Sequence, residues 1–107
     1  MGIQSPVAIL ADQTDQLTAG NEVSYDIDSD RVPTTIVANN LAGSEEVDVF
    51  FSIDGGTTWV TLYVDGSAVV LTATDNAKTF YGPMKVGFLK DTTAGACGIY
   101  AYTGNKV

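Results

Sequence analysis

The chain carries thirteen acidic residues, five basic ones, a single cysteine and no histidine. That inventory narrows the available chemistry. Histidine is the commonest general base near neutral pH and the commonest zinc ligand. Without it, Cys97 has no imidazole to draw off its proton, and its neighbours Gly95, Ala96 and Gly98 mark a tight packing position. Paired carboxylates can run a glycoside hydrolysis, but the acids here fall in turns and on polar strand faces, where solvation accounts for them. No phosphate-binding loop or dinucleotide fingerprint is present. The expectation is a protein that is not an enzyme, with no catalytic residue, no metal ligand and no cofactor.

Two groups of residues remain that could bind something. Asp26-Ile27-Asp28-Ser29-Asp30 opens like a calcium loop. A helix–loop–helix calcium site would then need Gly at its sixth position and Glu at its twelfth. Arg31 and Val37 stand there, so an acidic solvated turn before Pro33 is the plainer reading. Phe50, Trp59 and Tyr63 form the second group, a possible aromatic strip on one sheet face. Such a strip can stack sugar rings, and aromatics so placed also fill cores and subunit interfaces.

The sharpest local pattern is Ser52-Ile53-Asp54-Gly55-Gly56-Thr57-Thr58-Trp59. It resembles the Asp-box, Ser-x-Asp-x-Gly-x-Thr-Trp, of sialidase-type propellers. The resemblance covers these eight residues and implies a hairpin turn built by Ser52, Asp54, Gly56, Thr58 and Trp59. The carboxylate would accept turn amides, a glycine would take unusual backbone angles, and the indole would pack beneath. A single copy in a chain this short cannot make a propeller.

The elements that must position these residues are strands. Val23, Tyr25 and Ile27 alternate within 22–27, and 34–39 follows Pro33 as another strand. Over 46–53, Val47, Val49, Phe51 and Ile53 share one face; over 58–64, Val60, Leu62 and Val64 oppose Trp59, Thr61 and Tyr63. Period-two alternation of this kind marks half-buried strands. Asp65-Gly66 suits a two-residue type I′ turn, where both positions need positive φ. Residues 67–72 then return, predicting a three-stranded meander over 46–72. Strands over 84–90 and 98–103 complete the set, with 75–78 and 90–93 left as loops. Seven or eight short strands predict an all-β antiparallel sandwich or jelly-roll-like barrel.

A length of 107 residues suits one domain. Its hydrophobic fraction of 45% can supply a core, and a charged fraction of 17% leaves apolar surface for a partner. The net charge of −8 repels a phosphate backbone and an anionic membrane alike, so neither nucleic acid nor a membrane is expected as partner. A basic or neutral protein surface is the natural alternative. A lone cysteine permits no intrachain disulfide, which fits folding in a reducing cytoplasm. The opening residues show no basic run leading into a long apolar segment, so no signal peptide is expected. The short apolar arm of residues 1–11, with Val7, Ile9 and Leu10, reads either as an edge strand or as an arm that docks on a neighbouring subunit.

A histidine-free, disulfide-free, acidic β domain of this size, rich in Thr, Gly, Ala and Val, resembles the decoration (cement) proteins of tailed-bacteriophage heads. The resemblance spans the chain in style. It implies a protein made in the host bacterial cytoplasm that binds the major capsid protein on the assembled shell. It also implies a homo-oligomer, trimers being common in that group. The candidate contact residues are Val7, Ile9, Leu10, Phe50, Trp59 and Tyr63. A carbohydrate-binding module using Trp59 and Tyr63, and a tail or fibre component, are the competing expectations.

Overall fold

Every described strand is antiparallel to its neighbours, and the alternating segments read from the sequence supply nearly all of them. The computed structural model describes residues 6–103; the first five residues of the expected arm therefore lie outside the described residues. The strands are β1 (Val7–Gln13), β2 (Val23–Ile27), β3 (Thr34–Ala38), β4 (Glu46–Ser52), β5 (Trp59–Thr61), β6 (Tyr63–Val64), β7 (Ser67–Ala68), β8 (Val70–Thr72), β9 (Ala77–Phe80), β10 (Met84–Lys90) and β11 (Cys97–Thr103). No helix occurs among the described residues.

The first sheet runs β1-β11-β3-β9 and the second β2-β10-β4-β5, with β8 also on β4. Outside 46–72, consecutive strands lie in opposite sheets, so each ladder joins segments far apart in sequence. Val7 pairs with Ala101, for example, and Ile27 with Met84. The inward faces make an antiparallel β-sandwich core of Ile27, Ile36, Val47, Val49, Leu71, Val86, Phe88 and Ile99, each at most 1% exposed. Full burial of one such side chain contributes about 1.5–3 kcal/mol.

The meander expected over 46–72 is not what forms. The lower half of β4 pairs with β5 and its upper half with β8, both along the same edge. Between them the chain leaves the sheet: Leu62 N–H still donates to Val49 O at 3.2 Å, while Val69 N–H donates to Leu62 O at 2.8 Å. Beyond that point β6 and β7 pair only with each other and branch out as a hairpin. Its turn has Asp65 at φ 52° and Gly66 at φ 83°, the positive pair a type I′ turn requires.

Three further expectations change. Ile53 does not continue the buried face of β4; it lies in the turn and is 66% exposed. Ala77 and Lys78, read as loop, begin β9, whose Thr79 hydroxyl meets that of Thr35 on β3 at 2.9 Å. Lys90, shared in the sequence reading by the 84–90 strand and the 90–93 loop, belongs to the strand: it ends β10 and is buried, not placed at an exposed loop.

Candidate functional site

The turn between β4 and β5 is held by two side chains. Ser52 Oγ accepts the Gly56 amide at 2.7 Å and donates to Asp54 Oδ1 at 3.1 Å. Asp54 Oδ1 also accepts the amides of Thr58 at 2.7 Å and Thr57 at 3.1 Å. These bonds, the Thr58 amide foremost, hold the Asp54 carboxyl below its ordinary range. Gly55 and Gly56 supply positive φ, 80° and 116°. The chain thereby reverses over the six residues 53–58 and delivers Trp59 opposite Ser52.

Register then sets which aromatics meet. Ser52 pairs with Trp59 and Phe50 with Thr61, so Phe50 and Trp59 lie diagonally on the outer face of the second sheet. The indole lies over Gly87 of the next strand but one: a Cβ there would sit 2.7 Å from Trp59 Cζ3. Trp59 is consequently half-buried against its own sheet. In the same face, Lys85 Nζ pairs with Asp26 Oδ1 at 2.8 Å. Tyr63 has departed with the branching hairpin and is 63% exposed.

The apolar N-terminal segment is an edge strand, β1, on the first sheet. Leu10 belongs to the core, Ile9 packs against it, and Val7 is half exposed. Two register shifts interrupt β1, between Ala8 and Leu10 and between Leu10 and Gln13. Its far end is fixed by Asp12, whose Oδ1 accepts the Tyr100 hydroxyl of β11 and, at 3.5 Å, the Asn39 side-chain amide beyond β3. That carboxylate holds the Tyr100 phenol above its ordinary value. The candidate residues thus fall into separate groups: Phe50 and Trp59 together, Tyr63 on the hairpin, and Val7, Ile9 and Leu10 on the other sheet.

Four of the seven exposed large apolar side chains among the described residues fall in one segment. Ile53, Val60, Tyr63 and Val64 are all exposed, and all lie between the end of β4 and the Asp65-Gly66 turn. Of these, only Tyr63 is among the sequence-derived contact residues. For Val60 and Val64 the signal is available in the sequence, because no charge occurs from Gly55 to Val64; Ile53 stands before Asp54, outside that run.

A second unanticipated feature is the buried end of β10. Lys90 is 2% exposed, and its Nζ donates to Asp91 O at 3.1 Å and Thr93 Oγ1 at 3.3 Å. Thr93, also buried, passes its own hydroxyl proton to Gly95 O at 2.7 Å. Glu45 sits nearby with its two oxygens on the amides of Ala94 and Ala42, at 2.9 and 2.8 Å. Those amides, and then the Lys90 charge, hold its carboxyl below the ordinary range. The network closes one end of the sandwich with no buried side-chain nitrogen or oxygen left unpartnered among the described residues.

The acidic turn after β2 is organised by Ser29, whose hydroxyl accepts the amides of Arg31 at 3.0 Å and Val32 at 3.1 Å. Among the described residues no three His, Cys, Asp or Glu side chains form a group suited to a metal ion. A depression of about 150 Å³ opens here, lined by Tyr25, Asp26, Asp28, Ser29, Val32, Thr34 and Thr103. Small-molecule pockets run to about 300–1,000 Å³.

In comparisons with known proteins, the chain matches no family model, no curated protein and no solved structure.

Proposed function

We propose that the protein is a non-enzymatic virion structural protein, a decoration protein that binds the major capsid protein on an assembled tailed-phage shell and stabilises it. The observation that carries this reading is the uncharged, apolar-exposed run from Gly55 to Val64 on a rigid sandwich whose net charge is −8. A surface of that kind suits a protein partner, and the surrounding negative charge steers it toward neutral or basic ground. Many copies on a symmetric lattice convert a small contact into firm attachment. In this reading the chain is made in the host cytoplasm, acts on the capsid surface, and assembles as a homotrimer.

The test is co-sedimentation of the purified protein with shells from virus of its source, followed by thermal rupture of decorated and bare shells. Saturable binding with a raised rupture temperature is the expected result. Binding to isolated tails instead would move the protein to the tail or fibre. Absence of the chain from purified particles would remove the reading altogether.

Carbohydrate binding is favoured by one observation, the shared outer face of Phe50 and Trp59. It predicts saturable glycan binding that Trp59→Ala abolishes while the fold persists.

A further inference from the structure

The sheet margins of this sandwich are guarded unequally. An exposed edge strand offers unpaired N–H and C=O groups, and proteins blunt such edges with bulges, charges, proline or shortness. β1 is interrupted by two register shifts. β2 carries Asp26, with Glu22 before it and Asp28 after it. β9 carries Lys78, ion-paired to Asp75 at 2.6 Å. β8 is three residues long and turns back where Thr72 N–H donates to Asp75 O. The run from Trp59 to Val64 is short as well, β5 having three residues and β6 two on either side of Leu62, but it carries no charge and no proline, and β5 shows no register shift against β4.

The backbone of that run is presented for pairing. Leu62 N–H faces β4, donating to Val49 O. In an antiparallel ladder successive residues alternate the direction of their backbone groups. Trp59, Thr61 and Tyr63 therefore aim theirs away from β4, along the open margin. At either end of the uncharged stretch stands a carboxylate, Asp54 before it and Asp65 after it. A second copy pairing here about a two-fold axis would bring Asp54 of one chain beside Asp65 of the other, in an assembly already doubling a charge of −8.

We propose that the Trp59–Val64 margin accepts an extended strand from a partner protein, a segment of about six residues with alternating apolar side chains and Lys or Arg at both ends. The main-chain bonds supply attachment, Val60 and Val64, exposed and of one parity, give side-chain contacts on one face, and the two aspartates select the basic flanks. This inference rests on the reading of the chain as a binding module and names the chemistry its partner presents.

The probe is the synthetic peptide Lys-Lys-Val-Thr-Val-Thr-Val-Lys-Lys, titrated into isotopically labelled full-length protein at low ionic strength. Saturable shifts of the Trp59 to Val64 amides are expected, with slowed hydrogen exchange at Thr61. A Glu-flanked version of the peptide should bind at least about tenfold more weakly, because like charges would face Asp54 and Asp65. Thr61→Pro removes an outward N–H, which an edge strand tolerates; Thr61→Lys keeps that N–H and repels the basic peptide. Loss of the shifts in either folded variant supports the proposal.

No shift at millimolar peptide, shifts confined to β1, β2 or β9, or equal binding by Thr61→Lys would each overturn it. Concentration-dependent shifts of the same amides without peptide would replace the partner strand with a second copy. The assay uses no shells, so its failure and a failure to bind shells are separate results.

Discussion

The indole of Trp59 rests on Gly87, two strands away across Phe50's strand, and the space it occupies exists because residue 87 has no side chain. A Cβ at Gly87 would meet Cζ3, Cε3 and Cη2 of the ring at 2.7–2.9 Å. A small residue in the middle of a seven-residue strand therefore serves an aromatic on the sheet's outer face, locking the β4–β5 turn onto β10.

Gly87→Ala should displace the indole and cost about 1–3 kcal/mol, the usual penalty of overpacking. Trp59 is the sole tryptophan, so its fluorescence reports the event directly. The emission maximum should shift to the red and the urea midpoint should fall. An unchanged spectrum would show that the ring does not depend on that space.

Asp54→Asn should weaken the β4–β5 turn at neutral pH and have progressively less effect in acid. The native carboxyl titrates below its ordinary 3.8, chiefly through the Thr58 amide. The unfolded chain therefore takes up the proton first as pH falls, and stability rises with pH across that window. The contribution is complete above the unfolded value and is lost as pH drops through the lower folded one. Glu45, held below 4.5 by the Ala94 and Ala42 amides and the Lys90 charge, acts with the same sign. Asp48 acts oppositely: burial and then the Asp91 charge raise it, so its protonation in acid favours the fold. Urea midpoints of the parent and Asp54→Asn, compared from neutral pH downward, should converge below the Asp54 titration. A constant difference would contradict the assignment.

Lys90→Ala should destabilise the sandwich by about 2–4 kcal/mol, combining a cavity with orphaned acceptors. Lys90→Met keeps most of the buried stem and should cost about half as much, since the Asp91 carbonyl alone loses its donor outright. Thr93 retains its bond to Gly95 O in both. Denaturant melts of the pair separate packing from hydrogen bonding. Equal losses would show that the ammonium, not the stem, carries the effect.

Cys97 should be inert to a thiol reagent in the native protein at mildly alkaline pH. It is fully buried, and that burial raises its pKa, against which the Lys90 charge works only partly. Modification should proceed at the rate of global unfolding and accelerate with urea in step with the melt. Rapid labelling of folded protein would show that the β11 end of the core opens locally.

Much of this molecule was legible in its residues. Met84, Val86, Phe88 and Lys90 share one parity, and the strand they form spans Met84–Lys90 as read. The same alternation places Lys90 inward, but burial of a lysine needs partners that only the folded chain shows. Asp91 O and Thr93 Oγ1 are those partners. Similarly, Asp65-Gly66 announces its turn through backbone sterics alone, whereas Ala77–Phe80 has no alternation strong enough to announce a strand and gains its pairing from β3.

By itself, then, the sequence determined the all-β class, most strand positions, the turn chemistry at Ser52–Trp59 and Asp65-Gly66, and the uncharged run between them. These are local properties: period-two burial, φ preference and side chains reaching amides a few residues away. The tertiary structure alone decided that β11 lies between β1 and β3, that β4 takes two partners on one edge, and that Trp59 settles over Gly87. A strand's pattern says which face is buried, not which neighbour will cover it. That choice is made by burial shared between two sheets whose adjacent strands are remote in sequence.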